Sequence, residues 1–288
     1  MEATVLRAPS LAHHERAFDA WCIAPCLDVP NWSMFDLHGT DGCARNPHLA
    51  SAIGEALAAR TVHLAFGPST AAMCGTVVEQ ERFTDAVRLP NGIALLRNRR
   101  VPSEGTWLER AGEAVTLSSA GELLLVAEGG GRLLVANAGL ASLVDSVLVD
   151  TGVPSRPHES VVFAIADAFR GHRVPLEHVS LSVLFSIPPE HCRFSLDIGP
   201  FAEFHKKLYA YGTDRWGGEP FHDRKVGAER QFTVSLPLVA IAQADAAGLK
   251  GLLSAQLTLP EAGAYAYTQH PNPRLNGPTR NLVIVRRN

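Results

Sequence analysis

The chain has 288 residues, a formal charge of −3 and 46% hydrophobic residues, with 19% charged residues of both signs interspersed. This is enough apolar material for a sizeable core and too much for a disordered chain. The charge leaves no basic footprint for nucleic acid, and the short basic runs at Arg97–Arg100 and Arg286–Arg287 read as solvated. No apolar run approaches the ~18–20 residues of a membrane span, and the first residues lack the apolar centre of a signal peptide. Cys22, Cys26, Cys43, Cys74 and Cys192 are odd in number and scattered, which suits a reducing compartment, so the cytoplasm is the expected location.

In chain order, residues 47–59 (PHLASAIGEALAA) predict a helix with Pro47 in its first turn. Residues 113–118, 122–128 and 132–137 predict strands, and the Gly129-Gly130-Gly131 run predicts a hairpin turn between the last two. A helix is expected over 159–170 and a strand over 178–185. Amphipathic helices are expected from Phe201 and from Leu236, the second closed by Gly248, and NLVIVRR forms a last strand. Strands joined by glycine turns and interrupted by helices argue for an α/β fold of the mixed α+β kind. The expected architecture is a layered sandwich of mixed and antiparallel sheets with packed helices. One domain over 1–288 is expected, with 1–29 as an N-terminal extension.

The glycine run leads into a strand rather than a helix, so it is no phosphate loop. G-x-S-x-G, H-E-x-x-H and Walker patterns are absent from the sequence. Cys22-x-x-x-Cys26 has no second doublet at zinc-ribbon spacing and reads as two buried thiols. His191 and Cys192, adjacent in a strand, would point to opposite faces.

The order of five segments carries more. AMCGTVVE (Ala72, Met73, Cys74, Gly75) stands where a Q-V-H-G motif would fall, and TLSSAGELLLVAE, with Ser118 to Gly121, stands at an A-D-C-x-P position. RLLVANAGLAS (Asn137, Ala138, Gly139, Leu140) stands for H-A-G-W-[RK]-G. SIPPEHCRFSLD is similar in shape to G-P-x-I-x-x-C-[CH]-Y-x-V, and YAYTQHPNPRLNGPTRNLVIV keeps the layout of F-x-S-x-R…G-R with Arg280. In this series, over roughly residues 30–288, the chain resembles the laccase-domain family, also called multicopper polyphenol oxidase-like. That resemblance implies a zinc protein associated with purine nucleoside phosphorolysis and deamination, with two His and one Cys as metal ligands.

At the matching positions the chain offers Cys74, a Ser/Ala/Gly segment and Asn137. Ser and Asn are poor replacements for thiolate and imidazole, so no metal and no cofactor is expected there. Cys74 becomes a candidate nucleophile activated by His38 or by a positive neighbour such as Arg280. The plainer reading of Cys74, and the one favoured, is a small buried hydrophobe before Gly75. Asn137 is a candidate for bonding a substrate carbonyl or amide, or is a strand-end residue satisfying local backbone. Ser118, Ser119 and Arg280 are candidate substrate-binding residues, the two serines reading first as strand-end hydroxyls and Arg280 acting through bidentate bonds to a phosphate or carboxylate. A metal site rebuilt from His38, Cys43, His48 or His63 stays open. The expected partner is a small polar or nucleoside-like molecule, turned over by a metal-independent enzyme. The alternative is a catalytically silent relative that binds a ligand or another protein.

Overall fold

The computed structural model describes residues 5–7, 17–23, 61–65, 77–78, 85–88, 94–97, 105–119, 123–138, 143, 160–186, 189, 192–199, 202–253 and 281–288. The helix expected over 47–59 lies outside them.

Seven strands form the first sheet: β1 (Val5–Arg7), β2 (Phe18–Ile23), β3 (Thr61–Ala65), β5 (Asp85–Arg88), β6 (Ala94–Arg97), β8 (Glu113–Ser119) and β16 (Asn281–Arg287), in the order β1-β2-β16-β8-β3-β6-β5. β3 runs parallel to both β6 and β8, and the remaining pairs are antiparallel. The stretch read as an N-terminal extension thus supplies two strands of this sheet.

The second sheet contains β4 (Val77–Val78), β7 (Gly105–Leu108), β9 (Leu123–Gly129), β10 (Arg132–Ala138), β11 (Ser180–Leu184) and β15 (Lys250–Leu253). Its order is β15-β11-β9-β10-β7-β4, parallel at the two outer pairs and antiparallel between. The β9–β10 hairpin turns at Gly130 and Gly131, whose φ values of 57° and 71° lie in the left-handed region that favours glycine. The third sheet holds β12 (Arg193–Ser195), β13 (Phe221–Val226) and β14 (Glu229–Val234), in the order β12-β14-β13.

Helix α1 (Val161–Gly171) begins at Ser160, whose hydroxyl accepts the Val162 N–H. Helix α2 (Ala202–Trp216) runs beyond the expected end of its amphipathic stretch. Helix α3 (Leu236–Ala247) ends at Gly248, φ 82°, with the Leu249 N–H bonded to Ala244 O, the pattern of a glycine-closed helix. A turn of 3-10 helix over Leu176–His178 shortens the strand expected over 178–185.

Every β9 residue except Glu128 is buried, as in a strand covered on both faces. β8 lies against β7 and β10, while α1 packs on β10 and α3 on β11 and β15. The core therefore runs from the first sheet through the second to α1 and α3, with Val115, Leu125, Leu134, Ile165 and Val239 fully enclosed. The mixed sandwich expected from the sequence is the observed architecture.

In the third sheet, Phe194, Phe221 and Phe232 form an aromatic pack with Tyr209 of α2. Gly212 lets that helix close on it: a Cβ there would stand 2.2 Å from the Phe221 ring. Among the described residues no helix is long and apolar enough to cross a membrane.

Candidate functional site

The strand registers bring three of the sequence-predicted positions, Ser118, Ser119 and Asn137, to one end of their sheets. Ser119 closes β8 opposite Asn281, and Ser118 pairs with Leu282. Asn281 follows Arg280 directly in the chain. Beside them β3 ends at Ala65, level with Leu117, β6 ends at Arg97, and β2 ends at Ile23 opposite Leu282. In the second sheet, Asn137 pairs with Leu124 and Ala138 with Leu123, at the start of β9. The same end holds Val77, which opens β4 three positions after Cys74, and Leu253, which closes β15.

Residues 120–122 alone separate β8 from β9. Four extended Cα steps span at most roughly 14 Å, so the Ser118–Ser119 end of the first sheet and the Asn137 end of the second are neighbours. The sequence placed Ser118, Ser119 and Asn137 on strands, and the fold sets those strand ends together. His38, Cys74 and Arg280 lie outside the described residues, as do Cys43 and His48, while His63 lies within β3.

Two residues at this end were passed over in the sequence. Phe185 follows β11 with φ 52°, is 2% exposed, and is followed by Ser186, also buried. A bulky aromatic in the left-handed region carries backbone strain, and such strain is held where packing over-determines it, often at functional sites. The only signal in the sequence was the pair Pro188-Pro189 downstream, which marks a chain turn but not its handedness.

The two described thiols are unsuited to nucleophilic work. Cys22 in β2 and Cys192 before β12 are buried, and desolvation pushes each up to about 12, which keeps both protonated at neutral pH. The resemblance drawn from the motifs implies zinc; among the described residues no group of three or more His, Cys, Asp or Glu is placed to hold a metal ion, and Ser and Asn, the residue types at the β8 and β10 ends, are poor zinc ligands.

Mixed sheets stacked with packed helices give the chain the YfiH/DUF152 type of fold, the laccase-domain fold expected from the motif series. Among solved structures, it is similar to the hypothetical protein YfiH of Bacillus licheniformis, with TM-score 0.62 and 13% identity over 94% of this chain and 93% of that one. YlmD of Geobacillus stearothermophilus aligns with TM-score 0.60 and 15% identity, over 94% and 92% of the two chains. The Neisseria meningitidis protein NMB0706, described as DUF152, aligns with TM-score 0.57 and 12% identity over 99% of each. No family model matches the sequence, and no curated protein matches it. The ordered motif series thus led to the right fold.

Proposed function

We propose that this chain is a metal-independent enzyme that acts on a small polar or nucleoside-like molecule at the paired sheet ends. The observation that supports this reading is the convergence of Ser118, Ser119 and Asn137 on one end of the stack, beside the strand that follows Arg280. Small-molecule sites place a few polar groups against an otherwise apolar lining, and strand ends are a common place for them.

In this reading Cys74 is the nucleophile and His38 the base that takes its proton. The Asn137 amide, with two donors and one acceptor, bonds a carbonyl or ring nitrogen of the substrate. Ser118 and Ser119 hold polar groups of the substrate, and Arg280 grips a phosphate or carboxylate through its planar fork. No step passes through zinc.

The test is a panel of purine nucleosides, with and without phosphate, assayed on the full chain in the presence of a chelator. Turnover is expected to survive the chelator and to fall at least ~100-fold in Cys74→Ala, the scale of losing an activated nucleophile. Turnover abolished by chelation and restored by zinc would overturn the reading and return attention to His38, Cys43, His48 and His63. Nucleoside binding without turnover, unchanged in Cys74→Ala, would make the chain a binding relative instead.

A further inference from the structure

Away from the sheet ends, the three helices enclose a groove of about 410 Å³, within the range of small-molecule sites. Its walls carry three aromatic side chains, Phe163 of α1 and Tyr211 and Trp216 of α2, and Ala242 of α3 leaves it open. The Tyr211 and Trp216 rings meet edge to face at 5.6 Å, which gives one wall a fixed aromatic corner. Arg215 and Asp245 also line the groove and balance in charge.

The buried polar side chain lining this groove is Gln243, only 3% exposed. Its Oε1 accepts from the Ser160 hydroxyl at 2.7 Å, and its Nε2 donates to Leu143 O. Those bonds tie α1 to α3 and to the segment at Leu143. An amide carries two N–H donors, and the second has no partner among the described residues. An acceptor arriving in the groove can take that N–H, and a hydrogen bond to a buried amide favours binding.

We propose that this groove is a second binding site, for a neutral flat ring bearing a carbonyl, with the ring on the aromatic corner and the carbonyl oxygen on the Gln243 N–H that has no partner among the described residues. The charge balance disfavours an ionic ligand, and the aromatic walls select a planar one.

The test uses the full chain and benzamide as probe, followed by ligand-observed NMR, with aniline as a ring of similar size without a carbonyl. Benzamide is expected to bind with a Kd of about 1 mM or below, and aniline at least tenfold more weakly. Ala242→Leu, which fills the groove, and Gln243→Glu, which keeps an acceptor for Ser160 and removes both amide donors, are each expected to weaken benzamide at least tenfold. The melting temperature of Ala242→Leu is expected to match that of the parent chain. If Ala242→Leu unfolds, the exposed Ala246→Leu on the same face repeats the test. No benzamide signal at millimolar concentration, or equal binding by the filled variant, would overturn the proposal.

Discussion

The Ser160 hydroxyl donates to Gln243 Oε1 at 2.7 Å, with both residues buried and 83 positions apart in the chain. The same oxygen accepts the Val162 N–H, so one atom both starts α1 and fastens it to α3. Ser160→Ala removes both bonds and leaves a buried amide oxygen without a donor, at an expected cost of about 1–3 kcal/mol in urea unfolding. In a Gln243→Leu background the same change should cost less by at least ~0.5 kcal/mol. Equal costs in the two backgrounds would show that the bond does not couple the helices.

Gly212 stands inside α2, where alanine would ordinarily be the better helix former by about 1 kcal/mol. Here a Cβ would lie 2.2 Å from the Phe221 ring, nearer than any real contact. Gly212→Ala is therefore expected to lower stability by about 1–3 kcal/mol, the usual scale of overpacking. Adding Phe221→Leu should restore part of the loss. A stabilised Gly212→Ala would mean that α2 does not sit against β13 as described.

Much of the fold was legible where the signal is local. The run of three glycines between two apolar stretches could hardly be other than a hairpin, and Gly248 after an apolar helix is its own stop sign. The β13–β14 hairpin was missed because FHDRKV and ERQFTV carry mixed charges: Asp223, Lys225 and Arg230 are exposed, and their alternation is not apolar. β15 was missed because four residues, one of them glycine, say little alone, and its parallel pairing with β11 is nonlocal. The sheet order has no local signature at all. Nothing in NLVIVRR announces that it lies between β2 and β8. Of the candidate residues, Ser118, Ser119 and Asn137 were legible as strand-end positions, while their nearness depends on registers that only the fold supplies, and His38, Cys74 and Arg280 lie outside the described residues.

The buried thiols give a pH signature. Both Cys22 and Cys192 are raised from 9.0 to about 12 by desolvation. Between those values the unfolded chain has released protons that the folded chain keeps, so stability falls as pH rises through that window and is complete below 9.0. Cys22→Ala and Cys192→Ala should each flatten the decline. At pH near 8, peptide mapping after alkylation should find both thiols unmodified in the native chain and modified in denaturant. Fast native labelling of either would contradict their burial.

Arg287 latches the two sheets at the end opposite the candidate site. Its guanidinium donates to Leu108 O and to Gly131 O in the hairpin turn. Arg287→Ala should cost about 1–3 kcal/mol, as a charged donor to two carbonyls. Amide exchange around Gly130–Arg132 should rise while that of α3 stays unchanged. Uniform acceleration across both regions would count against a local latch.

The placement of β16 sets a condition on how the chain assembles. Asp19 and Arg286 form an ion pair at 2.8 Å across 267 positions of sequence, on neighbouring central strands. Closing so long a loop adds an entropic toll before any contact rewards it, and folds dominated by such pairings form slowly. In the second sheet the β7, β9, β10 and β11 strands are all synthesised by residue 184, and only β15 comes later. The first sheet stays split until β16 emerges and is seated between β2 and β8. Until then β2 and β8 each present an unpaired edge, and a nascent chain stalled before residue 281 would carry both into the crowded cell, where other chains compete to fill them.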